Sequence, residues 1–174
     1  DEMNELVSHF EPHKFSKKEM ILNAGEHSNT AYFVATGLVR IYYVKEDKEI
    51  TNWFIKENMI FAATYSILTG QPNYSNYEAL EDLVVLKIKH SELEGLFKKY
   101  HSIERLYRML LEAFHYSYVD KLYALKASTS EERYRDFEKE YGDIINRISL
   151  RNVASYLGMT SETISRIRAK QDRR

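Results

Sequence analysis

The residues best suited to recognition chemistry lie near the end of the chain, in the segment SLRNVASYLGMTSETISRIRAK that ends at Lys170. Hydroxyl, carboxylate, guanidinium and ammonium groups recur there at helical spacing, on residues Thr160, Ser161, Glu162, Ser165, Arg166, Arg168 and Lys170. Arginine can donate two hydrogen bonds to O6 and N7 of guanine, and glutamate can accept one from N4 of cytosine. The segment therefore predicts a helix that reads duplex DNA in the major groove.

Each polar residue of this helix has an expected role. Arg166 is predicted to be the main base-reading residue. Glu162 is predicted either to accept from a cytosine or to stabilise the helix N-terminus, and both roles remain open. Thr160, Arg168 and Lys170 are expected to contact phosphates, together with the N-terminus of the helix.

Two short helices joined by a tight turn would position these side chains. Ser149 and Thr160 are predicted N-caps, and Gly158 between them supplies the left-handed backbone of the turn. The positions predicted to face inward are small or branched apolar residues, namely Val153, Ala154, Leu157, Ile164 and Ile167. This pattern predicts a helix-turn-helix.

The charge distribution supports a polyanionic partner. The range 147–174 contains seven Lys or Arg and two Asp or Glu residues, a net charge of +5, whereas the rest of the chain carries −6. A basic segment on an acidic body suits local contact with nucleic acid. A simple solvated basic segment explains the same count.

The elements that precede this segment change from strands to helices. Residues 15–88 contain short β-branched and aromatic runs separated by turn signals, which predicts a sandwich or barrel. A helical period begins near Ser91, and a long helix is predicted over 101–127 with Ser102 as its N-cap.

The long helix carries two apolar stripes. One consists of Ile103, Leu106, Leu110, Ala113 and Ser117, and the other of Tyr107, Leu111, Phe114, Tyr118, Leu122 and Leu125. A helix on the surface of a monomer needs one apolar stripe. The second stripe predicts a homodimer through the 101–127 helix, and burial in the chain's own core is the alternative.

The predicted fold class is α+β. A jelly-roll-like β-roll with flanking helices is expected over 1–100, a dimerisation helix over 101–127 and a helix-turn-helix domain over 128–174. Thr129 and Glu132 form a capping-box pattern at the start of that last domain.

Composition and motifs argue against other classes of protein. The chain has no cysteine, which excludes disulfides and cysteine-bound metal, and the six histidines form no His-x-His pair of the kind a cupin-like enzyme would need. Neither a catalytic site nor a metal site or cofactor is expected. No apolar run approaches the length of a membrane span, and a cytoplasmic location is expected. A ligand-binding regulatory module without DNA-binding activity is the main alternative.

The order of β-roll, long helix and helix-turn-helix resembles the Crp/Fnr family of bacterial regulators. The turn at Gly25-Glu26, the strand entry Gly37-Leu38-Val39 and the string Glu162-Thr163-Ile164-Ser165-Arg166 carry the resemblance, the last of them to the Fnr branch. The resemblance implies a pseudo-palindromic duplex DNA site with half-sites similar to TTGAT, and RNA polymerase as a partner.

The sequence departs from the family members that bind cyclic AMP. Those members use a Gly-Glu pair and an Arg-Ser pair, where this chain has Phe61-Ala62-Ala63 and Asn73-Tyr74-Ser75, and no Lys or Arg occurs between Lys56 and Lys87. Because an anionic phosphate needs a paired cation when it is buried, cyclic AMP is not expected to activate the protein. A pocket for a neutral or aromatic ligand is expected around Ala62, Thr64, Tyr74 and Ser75, while the effector itself is unknown.

Overall fold

The alternating apolar residues in the first half of the chain form antiparallel strands, as their pattern predicts. The computed structural model describes residues 1–171; Asp172, Arg173 and Arg174, which contribute to the charge of the predicted basic segment, lie outside the described residues. The strands are β1 (Glu11–Phe15), β2 (Met20–Leu22), β3 (Thr30–Thr36), β4 (Val39–Lys45), β5 (Lys48–Ile55), β6 (Ile60–Ala62), β7 (Asn76–Ala79) and β8 (Leu83–Lys89).

These strands form two four-stranded sheets, with the orders β1-β8-β3-β6 and β2-β7-β4-β5. Apolar side chains from both sheets form one core, which includes Val34, Val39, Ile41, Trp53, Ile55, Phe61, Tyr77 and Val85. Burial of such side chains is worth about 1.5–3 kcal/mol each, so this core is the main source of the roll's stability. The predicted jelly-roll-like β-roll is confirmed.

Seven α-helices surround and follow the roll within residues 1–171. They are α1 (Glu2–Ser8), α2 (Thr64–Thr69), α3 (His90–Lys99), α4 (His101–Ala127), α5 (Ser130–Tyr141), α6 (Leu150–Leu157) and α7 (Ser161–Gln171), with a 3₁₀ turn at Ile145–Arg147 before α6. The sequence pattern did not place α1 and α2, because six or seven residues are too few to show a helical period. The predicted α+β class is confirmed.

The long helix α4 has the predicted extent but a different N-cap. It begins at His101 after Tyr100, and the Ser102 hydroxyl binds the Glu2 carboxylate instead of capping the helix. Ile103 is the only buried residue of α4 within this single chain. Phe114 contacts the ring of Trp53 at 5.0 Å, so part of the second predicted stripe packs on the chain's own roll.

A second core joins the C-terminal helices to the β-roll. Leu38 and Phe54, both 0% exposed, come from the roll and belong to the same cluster as the apolar residues of α5, α6 and α7. At the start of α5, Thr129 and Glu132 form the predicted capping box. The helical segment after α4 is therefore packed against β5 and against Leu38, the residue just before β4.

Candidate nucleic-acid interface

The turn between α6 and α7 has the backbone geometry that the sequence predicts. Gly158 adopts φ 64° and ψ 42°, a left-handed conformation that residues with a Cβ rarely adopt. The Ser149 hydroxyl accepts the Asn152 N–H at 3.2 Å, and the Thr160 hydroxyl accepts the Thr163 N–H at 3.2 Å. Both predicted N-caps are confirmed, and they fix where α6 and α7 begin.

The inward faces of the two helices are buried as predicted. Val153, Ala154, Leu157, Ile164 and Ile167 are all 7% exposed or less. Sequence reasoning missed Tyr156, which is 8% exposed and packs against Phe54 and Phe137 with ring centroids 5.4 Å apart in both pairs. The aromatic spacing of Tyr134, Phe137 and Tyr141 on α5 was the available signal for this cluster.

The outer face of α7 presents the predicted reading residues to solvent. Glu162, Ser165 and Arg166 are exposed on the first two turns, next to the cap at Thr160. The Ser165 hydroxyl donates to the Ser161 carbonyl at 3.0 Å, which leaves its oxygen able to accept. Thr160, not Glu162, caps the helix, while Glu162 lies in the first turn where a carboxylate is favourable.

Two residues predicted to contact phosphates lie towards α5. The Nε of Arg168 donates to the Tyr134 hydroxyl at 2.7 Å, and Lys170 forms an ion pair with Glu131 at 2.8 Å. Tyr134 is 1% exposed, so its hydroxyl provides a fixed support for the guanidinium. Arg168 is thus held against the body of the domain, whereas Arg166 projects outwards.

The four residues of the predicted effector pocket occupy different environments. Ala62 ends β6 and is half-buried, Thr64 begins α2 and is exposed, and Tyr74 is 59% exposed beside the ring of Tyr65. Ser75 is buried, and its carbonyl accepts a hydrogen bond from the Asn73 amide. Asn73 therefore stabilises its own loop.

Aromatic side chains fill the interior of the roll next to these residues. Phe61 and Tyr77 stack with centroids 5.9 Å apart, and Phe61 also stacks on Tyr32 at 4.9 Å. Burial raises the pKa of Tyr77 to about 12. The space between the sheets is thus occupied by apolar and neutral groups.

Arg147, a residue of the predicted basic segment, joins the C-terminal helices to the roll through hydrogen bonds. Arg147 donates to the carboxylates of Glu57, at 2.7 Å, and of Glu81. The hydrogen bond from Arg147 to Glu57 is the main cause that lowers the pKa of Glu57 to about 2. Arg147 is therefore paired within the chain. The count of Lys and Arg over 147–174 overstated the positive charge that is available to a polyanion.

The ion pair of Arg147 makes stability depend on pH. The pKa of Glu57 is lowered in the folded state, so its stabilisation is complete above the ordinary value of 4.5 and is lost as the pH falls towards 2. We expect Arg147→Gln to reduce the free energy of unfolding by about 1 kcal/mol at pH 7, after allowance for solvent screening, and by much less near pH 3. Urea unfolding at the two pH values measures this difference. An equal loss at both values would contradict the assignment.

Side chains from α4 and α6 also cover the edge of the sheet that ends at β5. The Ser155 hydroxyl accepts the Thr51 N–H and donates to the Glu49 carbonyl, both at 2.8 Å, and the Lys121 amine donates to the Asn52 carbonyl. Backbone groups of an edge strand otherwise need water or another strand as partners. These bonds fix the helix-turn-helix relative to the roll.

Two further features of residues 1–171 bear on the class of protein. Within this range, no group of three or more His, Asp or Glu side chains is arranged to hold a metal ion. In the same range, no helix combines the length and the apolar character that crossing a membrane requires.

Comparison with known proteins gives similarities over nearly the whole chain. Residues 12–100 match the family described as the cyclic nucleotide-binding domain. The anaerobic regulatory protein of Haemophilus influenzae is 22% identical over 180 residues, which cover 96% of this chain and 68% of that protein. The fumarate and nitrate reduction regulatory protein of Vibrio cholerae is also 22% identical over 180 residues, covering 96% of this chain and 70% of that protein.

A solved structure shares the fold. FixK2 from Bradyrhizobium japonicum superposes with a TM-score of 0.81 at 24% sequence identity, covering 92% of this chain and 83% of that one. The similarity thus extends beyond the β-roll to the helices that follow it.

Proposed function

The chain belongs to the cyclic nucleotide-binding domain family and is a transcription regulator of the Crp/Fnr type, and from this premise we propose that α7 reads duplex DNA. The observation that carries the proposal is the geometry of α6 and α7. A capped, left-handed turn and a buried inner face leave Glu162, Ser165 and Arg166 exposed together on one side of α7. In a helix-turn-helix this side enters the major groove.

The proposed roles follow from where the side chains lie. Arg166 projects outwards and reads a guanine, while Thr160 and the N-terminus of α7 bind phosphates. Arg168, supported by the Tyr134 hydroxyl, contacts the backbone of the DNA. The chain is proposed to consist of three parts: the β-roll over 1–100, the dimerisation helix over 101–127 and the DNA-binding domain over 128–174.

We propose that α4 forms the interface of a homodimer. A seam with alternating spacings of three and four residues runs along the middle of α4, through Leu106, Met109, Ala113 and Tyr116. This is the a/d spacing of a two-stranded coiled coil. Within the single chain Met109 is 52% and Tyr116 72% exposed, so a partner helix has apolar surface to cover.

Selection of binding sites from random duplexes tests the DNA-binding function. We expect the selected sequences to be pseudo-palindromes whose half-sites lie about one helical turn, roughly 34–36 Å, apart. A mobility-shift assay against unselected duplex gives the specificity ratio. A chain that selects no sequence would instead fit the alternative of a regulatory module without DNA binding.

Cyclic AMP is expected not to bind to the protein. Phe61 and Tyr77 fill the roll, and no Lys or Arg between Lys56 and Lys87 can neutralise a cyclic phosphate. Isothermal titration calorimetry with cyclic AMP and cyclic GMP should give no heat of binding at hundreds of micromolar. A micromolar dissociation constant for either nucleotide would overturn this proposal.

The remaining assignments follow from the regulatory role. We propose that the protein is not an enzyme, that it acts in the cytoplasm where bacterial DNA lies, and that RNA polymerase is its partner at promoters. The relatives described above are regulators, which supports this proposal.

A further inference from the structure

Lys121, a half-buried residue of α4, places its amine where the long helix, the roll and the DNA-binding domain meet. The amine donates a hydrogen bond to the Asn52 carbonyl of β5. It lies 3.8 Å from the centroid of the Tyr156 ring on α6 and 4.9 Å from that of the Trp53 ring on β5. A single side chain of the long helix thus contacts both the roll and the helix-turn-helix.

A bulge in β5 supplies the acceptor of this hydrogen bond. Two consecutive residues of β4 lie opposite Thr51 and Trp53, so Asn52 between them has no residue opposite it. Bulges turn the groups of a strand in new directions and are best treated as retained features of a fold. The Ser155 hydroxyl accepts the neighbouring Thr51 N–H at 2.8 Å. The long helix and α6 therefore bind the same irregular stretch of β5.

The covalent link between α4 and the DNA-binding domain leaves their angle open. Ser128 and Thr129 connect α4 to α5, and both have extended backbones, with ψ of 145° and 163°. A continuous helix would fix the direction of the chain, whereas extended residues allow rotation about φ and ψ. The angle is therefore set by side-chain contacts across the gap, and those of Lys121 reach both the roll and α6.

A charged amine is unfavourable at this position. Desolvation by burial lowers the pKa of Lys121 to about 7, although the charge of Glu140 opposes the shift. One carbonyl and two ring faces replace the lost solvation only in part. An apolar side chain of similar volume is often as stable as a buried ionic group, and some proteins retain such groups because they specify one arrangement. Orientation, and not stability, is then the benefit of Lys121.

We propose that Lys121, through Asn52 and Tyr156, is a positioning residue that fixes the angle between α4 and the DNA-binding domain and thereby the spacing of the half-sites that a dimer accepts. The inference rests on the proposed function, in which α4 pairs two protomers and α7 reads duplex DNA. A dimer gains from its second half-site only where the geometry lets both protomers bind at once. A domain held to α4 accepts one spacing, whereas a movable domain accepts several.

The preference for one half-site spacing is the property that should change. Lys121→Met removes the amine and keeps an unbranched side chain, and Lys126→Met, exposed on the same helix, is the matched control. Both variants and the unchanged chain are titrated with duplexes whose half-sites lie at the selected spacing, or one base pair closer or further apart. The shift should reduce the affinity of the unchanged chain and the control by at least about tenfold, and that of Lys121→Met by about threefold or less. Equal losses in all three chains would overturn the proposal.

Two further measurements separate positioning from a merely structural role. The affinity of Lys121→Met for a duplex with a single half-site should stay within about twofold of that of the unchanged chain, because α7 itself is intact. Urea unfolding should show no loss of stability, since an apolar side chain replaces a buried amine. A destabilised variant with an unaltered spacing preference would make Lys121 a residue of the core and contradict the proposal.

A measurement without DNA distinguishes failure of this inference from failure of the proposed function. The chain has no cysteine, so His115→Cys on α4 and Arg151→Cys on α6, both at exposed positions, accept two spin labels at unique sites. Pulsed electron paramagnetic resonance on labelled chain diluted with unlabelled chain gives the distance within one protomer. Lys121→Met should broaden the distribution of this distance by at least about twofold. An unchanged width would overturn the proposal even if the protein selects a DNA site, and a broadened one would support it even if the protein selects none.

Discussion

A chain carrying Met109→Glu is expected to sediment as a monomer and to lose at least about hundredfold in affinity for the duplex site obtained by selection. The substitution places a carboxylate from each protomer in the apolar seam of α4, where like charges and desolvation oppose association. A monomer binds one half-site only. In a dimer, binding at the first half-site holds the second protomer at a high effective concentration near the second half-site, and the monomer loses this advantage. Sedimentation velocity at about ten micromolar protein and a titration of labelled duplex measure the two effects.

The choice of residue follows from the structure. Phe114 belongs to the predicted apolar stripes, but its ring contacts Trp53 at 5.0 Å, so a charge there would also disturb the β-roll. Met109 is 52% exposed and lies on the seam. His115→Glu, on the exposed polar face of the same helix, is the control and should remain a dimer. Retention of the dimer by Met109→Glu would place the interface elsewhere.

Arg166→Ala is expected to reduce affinity for the selected site by about 1–3 kcal/mol and to relax specificity at one position in each half-site. Arg166 is exposed on the outer face of α7 and can donate two hydrogen bonds to a guanine. Competition among duplexes that carry each of the four bases at every position measures both effects. An unchanged base preference would mean that another face of α7 reads the DNA.

Arg168→Ala provides the contrast for this experiment. Because the Tyr134 hydroxyl holds the Arg168 guanidinium against α5, this residue is suited to the DNA backbone and not to base edges. Its removal should weaken binding to all duplexes alike and reduce the slope of log affinity against log salt by about one. A loss of affinity confined to duplexes with a particular base would mean that Arg168, and not Arg166, reads a base.

The helix-turn-helix could be read from the sequence because its determinants are local. Ser149, Gly158 and Thr160 act on backbone groups within four residues of themselves, so a single short segment contains each cap and the turn. The extent of α4 was likewise predictable, since a helical period sustained over 27 residues has few alternatives. The six or seven residues of α1 and α2 gave no such period.

The partners of the charged side chains depended on the tertiary structure. Arg147 appears in the sequence as one more basic residue near the reading helix, yet it pairs with Glu57 and Glu81 of the roll. Arg168 similarly turns to Tyr134 on a different helix. A long side chain reaches several acceptors, and the local sequence carries no information about which of them the fold brings within hydrogen-bonding distance.

By itself the sequence determined the β-roll, the long helix and the helix α7 with its exposed polar residues, because periodicity and capping act between neighbours in the chain. Only the tertiary structure decided how these units meet: Phe114 on Trp53, Ser155 on the edge of β5, and the Lys121 amine on the ring of Tyr156. An apolar stripe requires burial but does not specify the surface that covers it. That surface is set by packing between residues far apart in sequence, whose shapes and hydrogen-bonding groups fit only in the assembled fold.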